Sequence, residues 1–147
     1  MRRVIDIVPI VQVGIRNISK GEAEYVKQRR HDSIFWAKDL QGPTRDWIPR
    51  IVGHLGKKVY ITIDLDVFDP SIMPAVGTPE PGGMLWYPVL ELLEEVIRTR
   101  EIIGLDIVEL CPQPGNIAPD FLAAKLLFKI LGRLFTENGW VGGSKRR

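Results

Sequence analysis

The chain has 147 residues, 45% hydrophobic and 26% charged, which is one domain's length with enough apolar material for a packed core. Lys+Arg 20 against Asp+Glu 18 gives a net charge of +2 with both signs dispersed, so the basic stripe of a nucleic-acid binder is missing. A single cysteine, Cys111, excludes an internal disulfide framework and fits a reducing cytosol, and no apolar run approaches the roughly 18 residues that span a bilayer.

Taken in chain order, the Met1–Ile7 start is too short and too quickly acidic for a signal peptide. Pro9 to Ile15 is β-branched and ends near Gly14, the pattern of a buried strand. Ser19-Lys20-Gly21-Glu22 has capping-box spacing and opens a helix towards Arg30. Ile34 to Ala37 predicts a short strand. Trp47, Ile48, Ile51, Val52 and Leu55 then mark a helix face that closes near Gly56, with Pro49 close to its first turn. Val59 to Ile63 is the clearest strand. After the Pro/Gly/Asp-rich stretch from Asp64 to Gly83, Trp86, Val89, Leu90, Leu93, Val96 and Ile97 recur at helical spacing, with Pro88 tolerable in the first turn. Ile102 to Leu110 predicts a strand. Pro119-Asp120 opens a last helix with apolar positions from Phe121 to Phe135, stopping near Gly139, and residues 141–147 form a basic tail.

Strand and helix alternating about four times predict an α/β fold, a mainly parallel sheet covered by helices on both faces. Ligands of such sheets sit beyond the carboxyl ends of the strands. That rule directs attention to Asp64–Gly83 and Glu109–Asn116.

Asp64 and Asp66 lie two residues apart where a strand ends. If extended geometry persists through Asp66, both carboxylates leave the same side of the chain. Two adjacent anions repel unless a cation neutralises them, and carboxylate oxygens suit Mg²⁺, Mn²⁺ or Ca²⁺. Capping a loop and pairing with nearby cations is the plainer role for the same residues. His31 and His54, the only histidines, fall in helical stretches and suit surface or packing roles.

Asp64-Leu65-Asp66-Val67-Phe68-Asp69-Pro70, followed by Pro74, Gly77-Thr78-Pro79 and Gly82-Gly83, resembles a signature block of the ureohydrolase family of arginases, agmatinases and formiminoglutamases. Val11-Gln12-Val13-Gly14-Ile15-Arg16 and Asp106-Ile107-Val108-Glu109-Leu110-Cys111-Pro112 resemble two further strands of that family, so the likeness covers roughly residues 4–140. It implies the C-terminal half of a three-layer α-β-α, arginase/deacetylase-like fold, with residues 1–140 part of one ureohydrolase domain. It also implies two Mn²⁺ ions and hydrolysis of a guanidinium C–N bond to urea and an amine. By the same resemblance Asp64 bridges both ions, Asp66 ligates one, and Asp69 supports them or shapes the turn. Glu109 orients the guanidinium, and Thr78 lines its pocket or serves the turn. Glu80-Pro81-Gly82-Gly83 is similar to the agmatinase branch, making agmatine the leading substrate; arginine, guanidinobutyrate and formiminoglutamate stay open.

Two family blocks have no counterpart: a glycine-rich segment ending in Asp-His, and Asp-Ala-His-x-Asp. The family's upstream proton-shuttling histidine also has none. The expectation is therefore a cytoplasmic, partial ureohydrolase, inactive alone, that partners a missing N-terminal half or self-associates. A non-catalytic assembly or regulatory module and a weak one-metal domain are the competing readings.

Overall fold

The computed structural model describes residues 3–29 and 33–137; Arg30, His31 and the basic tail lie outside the described residues. The elements are β1 (Gln12–Ile15), α1 (Lys20–Arg29), β2 (Ile34–Trp36), α2 (Trp47–Gly53), β3 (Lys58–Asp64), α3 (Trp86–Thr99), β4 (Glu101–Val108) and α4 (Ala118–Glu137). Short 3₁₀ turns occupy Ala37–Leu40 and Leu65–Val67.

Local chemistry accounts for most of these boundaries. The capping box forms as spaced: Ser19 N donates to Glu22 Oε2 at 2.8 Å, and Glu22 N donates to Ser19 Oγ at 3.3 Å. The first of these bonds is the main reason the Glu22 carboxyl lies below its usual range. Pro49 and Pro88 each sit in the first turn of a helix, where a missing N–H costs nothing. The first strand begins only at Gln12, the second gives way at Ala37 to a 3₁₀ turn, and β4 stops at Val108 because Glu109 adopts φ 68°.

Among the described residues the strands pair in parallel. β1 pairs with β2, and β3 pairs with β4 from Lys58↔Glu101 to Asp64↔Val108, with an irregularity after Val59. The expected parallel pairing takes the form of two two-stranded ladders among the described residues. At Gly14, β1 lies against the turn that follows β3, where a Cβ on Gly14 would fall 2.6 Å from Val67 Cγ2. Both pairs still feed one core, in which Phe35, Ile61, Ile63, Leu65 and Phe68 pack with the inner faces of α2, α3 and α4.

β3 alternates cleanly. Ile61 and Ile63 point into the core, while Tyr60, Thr62 and Asp64 are exposed. On that outer face the Tyr60 and Thr62 hydroxyls donate to the two oxygens of Asp106, at 2.8 and 2.6 Å. The carboxyl ends of β3 and β4 thus finish side by side, presenting Asp64 and Glu109 at one rim. No helix among the described residues is long and apolar enough to cross a membrane.

Candidate metal centre

Asp64 is the last residue of β3 and still extended, with φ −83° and ψ 118°. The condition of extended geometry through Asp66 is not met. The chain turns into the 3₁₀ segment Leu65–Val67, and Asp64 Oδ1 accepts the Asp66 backbone N–H at 2.9 Å. An Asx-type turn replaces the pleat because the aspartate side chain supplies the bond that a ladder partner would otherwise make. Both carboxylates nevertheless line one recess of about 190 Å³, together with Gly14, Arg16, Thr78 and Glu80.

The electrostatics of that recess are unbalanced. Burial pushes the Asp64 carboxyl above its usual range, and the Asp66 charge adds to the rise; the Asp66 N–H and Arg16 oppose it. Asp66 Oδ2 accepts a hydrogen bond from the Thr78 hydroxyl, whereas Asp66 Oδ1 is buried and has no hydrogen-bond partner. A buried, acceptor-only oxygen with nothing donating to it is costly unless a cation or water completes it.

Arg16 donates to the backbone carbonyls of Asp66, Val67 and Gly14, the latter two at 3.2 and 3.4 Å. Its guanidinium thereby ties β1 to the turn after β3 and leaves the carboxylates themselves unclamped. Asn17 Nδ2 donates to Glu80 Oε2 at 3.4 Å across the same recess.

Asp69 holds the returning loop. Its Oδ1 accepts from Ser71 N at 3.0 Å, and its Oδ2 accepts from Gly82 N and Gly83 N at 2.9 and 3.1 Å. Backbone bonds from Asp69 N to Met84 O and from Met84 N to Val67 O close the loop that carries Thr78 onto Asp66. Hydrogen bonding from Ser71, then from Gly82 and Gly83, holds the Asp69 carboxyl below the usual range. A lowered folded value stabilises the fold above the ordinary carboxylate pKa, and that stability is lost as pH falls through the lowered value. Asp69→Asn should therefore lower stability at neutral pH by about 1–2 kcal/mol, small because solvent reaches the group. It should also flatten the decline below roughly pH 4, as read by thermal melts across the acid range.

The structure brings Asp64, Asp66 and Thr78 together. Glu109 stands just outside the lining of that recess, exposed and in the left-handed region at φ 68°, its Oε2 3.4 Å from where a Cβ on Gly77 would lie. A non-glycine residue held there is backbone strain of the kind found at working sites. His54 follows α2 and sets its ring edge against Phe35 at 5.4 Å, consistent with a packing role. The roles of Arg16 and Asn17 had no sequence-level assignment; Gly14 at φ 78° just before Ile15-Arg16 is the one local sign of close chain approach there.

An orphaned Asp66 oxygen beside the partly exposed Asp64 fits two donors to a hard divalent cation. It does not complete a site: among the described residues no group of three or more His, Cys, Asp or Glu side chains is placed to hold a metal.

The sequence profile of the arginase family matches residues 1–132, almost the whole chain. The chain belongs to the arginase family. It is 38% identical over 134 residues to an N(1)-aminopropylagmatine ureohydrolase of Synechocystis sp., covering 90% of this chain and 43% of that protein. An agmatinase of Pyrococcus horikoshii is 36% identical over 124 residues, covering 83% and 43%. Among solved structures, the agmatine ureohydrolase of Thermoplasma volcanium superposes with a TM-score of 0.79 at 31% identity, covering 96% of this chain and 48% of that one. Arginase from Bacillus subtilis superposes at 0.74 with 25% identity. This family member therefore has a partial arginase-type α/β fold and spans less than half the length of the relatives it matches.

Proposed function

We propose that this chain is the C-terminal portion of a binuclear manganese amidinohydrolase of the agmatinase type, cleaving agmatine with water to putrescine and urea. The names of its relatives support a linear guanidino-amine as the substrate class, agmatine or its aminopropyl derivative. The observation that carries the reading is the unpartnered Oδ1 of Asp66 beside Asp64 at the carboxyl end of a parallel strand. In this reading Asp64 and Asp66 hold manganese, which when bound supplies Lewis acidity at neutral pH. Thr78 donates to one oxygen of Asp66 and leaves the other, buried, without a partner. Glu109 orients the planar guanidinium by charge-assisted hydrogen bonds. Asp69 keeps the Thr78 loop in place.

Urea release tests the proposal when the chain is refolded with the part of a Thermus thermophilus N(1)-aminopropylagmatine ureohydrolase that lies outside its 135 matched residues. Turnover of agmatine or its aminopropyl derivative, reduced at least 100-fold by Asp64→Ala or Asp66→Ala, is expected. Turnover indifferent to both substitutions would sink it. The absence of a three-donor cluster among the described residues favours, as a second reading, an assembly or regulatory module that keeps the fold without catalysis. That module predicts no calorimetric Mn²⁺ heat that Asp66→Ala removes, whereas such heat without turnover would mark a one-metal domain.

A further inference from the structure

The recess that holds Asp64 and Asp66 carries a third carboxylate, Glu80, and an apolar stretch of wall supplied by Val13, Ile15 and Val67. Glu80 lies two residues beyond Thr78, whose hydroxyl reaches Asp66. At the chain's fullest extension its Cα is therefore within about 7 Å of that of Thr78. Its backbone N–H closes onto Thr78 O at 2.7 Å, and Pro79 and Pro81 on either side have φ fixed by their rings, so the position is stiff. Residues 77–79, 81 and 82 are exposed, whereas Glu80 is half-buried. A loop glutamate with water open to it lines the recess instead. It does not join the two aspartates in a three-donor group, for none is placed to hold a metal among the described residues. Glu80 thus shares the recess with the metal donors and stands apart from them.

The carboxylate of Glu80 is weakly engaged. Asn17 Nδ2 donates to its Oε2 at 3.4 Å, beyond the usual limit of about 3.2 Å, and none of the ion pairs among the described residues involves it. Arg16, the cation of the recess, directs its donors to the carbonyls of Gly14, Asp66 and Val67. An anion so placed is matched by an ammonium, which meets a carboxylate in shorter, charge-assisted hydrogen bonds. We propose that Glu80 determines specificity by holding the ammonium at the far end of a linear guanidino-amine. The guanidinium lies at the metal end, the methylenes lie along Val13, Ile15 and Val67, and the ammonium displaces the long Asn17 bond.

The inference rests on the reading in the preceding section, which supplies the guanidinium end, and it adds a rule for the tail. Guanidinobutyrate and formiminoglutamate carry carboxylates there, and arginine carries one beside its amine; Glu80 repels all three. Agmatine and its aminopropyl derivative carry ammonium groups and no acid. A residue serving the turn alone makes no such distinction, because the turn is closed by the Glu80 backbone and not by its side chain.

The test assays the full chain, refolded with the part of the Thermus relative outside the matched residues, on agmatine and on 4-guanidinobutyrate. These differ in ending in an ammonium or a carboxylate. Glu80→Gln should lower the agmatine-to-guanidinobutyrate ratio of kcat/KM about 30-fold, the worth of one charge-assisted hydrogen bond. The agmatine loss should fall on KM, and Glu80→Lys should lower the ratio further. Glu24→Gln, which removes the same charge from an exposed position on α1, should move it less than twofold. A ratio shifted less than threefold by Glu80→Gln, or equal losses on both substrates, overturns the assignment. Putrescine titrated into the full chain alone reads the same contact without turnover, by ¹H–¹⁵N spectra. Millimolar putrescine should shift the Asn17 side-chain amide and the Glu80 N–H, butyrate should shift neither, and Glu80→Gln should weaken the putrescine response at least tenfold. No shift at those two groups, or shifts that survive Glu80→Gln, also overturns it. Shifts lost in Glu80→Gln, with no urea from any refolded sample, leave the ammonium contact standing and remove the catalytic reading. Urea release lowered by Asp66→Ala, with a ratio indifferent to Glu80→Gln, does the reverse.

Discussion

Incubated with agmatine and millimolar Mn²⁺, the 147-residue chain on its own should release urea at least about 10⁴-fold more slowly than a complete relative. The argument is one of donor number. A divalent ion of this type takes about six oxygen or nitrogen donors, and a binuclear centre shares few of them. Two aspartates converge here, and one oxygen of each is already engaged, Asp64 Oδ1 by the Asp66 N–H and Asp66 Oδ2 by Thr78. Neither His54 nor Glu109 lines that recess. Ions held this weakly leave solvent to supply most of the coordination, so little of the fixed geometry on which metal-assisted hydrolysis depends remains. Colorimetric urea determination on chain purified to remove host enzymes decides the matter. A rate within tenfold of a complete relative would mean that this polypeptide assembles donors the present geometry does not provide.

How far the sequence alone reached depends on the range of the interaction concerned. Helix starts were legible because the signals are local. Ser19 and Glu22 bond across three residues, and Pro49 and Pro88 sit where a helix has no use for an N–H. Strands were legible as β-branched runs, and the parallel character followed from the helices between them. The division into two ladders was not, since which strands pair depends on contacts between segments far apart in the sequence.

The same split runs through the site. Asp64 and Asp66 stood out by spacing and context. The turn that makes them converge depends on a side chain capping its neighbour's N–H, a choice that an Asp-x-Asp pattern leaves open. Arg16 reaching the carbonyls of Asp66 and Val67 joins segments about fifty residues apart and leaves no periodic trace. Asp69 was readable as a turn residue: Asp-Pro-Ser is an Asx-turn pattern, and Gly82-Gly83 supplies N–H groups with no side chain in the way.

Gly83→Ala should cost about 3 kcal/mol, at the upper end of overpacking substitutions, and lower the melting temperature by roughly 6–12 °C for a domain of this size. A Cβ at this position would lie 2.4 Å from both Asp69 N and Phe68 C, and 2.5 Å from Phe68 O. These are backbone atoms, so no rotamer change relieves the contact. Phe68 and Met84 on either side are 1% and 3% exposed and joined by a bridge, so the two chains must separate inside the core. Separation also breaks the Gly83 N–H bond to Asp69 and slackens the loop that seats Thr78 on Asp66. The neighbouring glycine is the control. Gly82 has φ 82° and open space around a notional Cβ, so Gly82→Ala meets torsional strain alone, about 1 kcal/mol. A Gly83→Ala melt within 2 °C of the parent, or no worse than Gly82→Ala, would show that the loop and the Phe68 segment are not packed backbone to backbone. The Asp69-held loop would then lose its place as the element that orients Asp66.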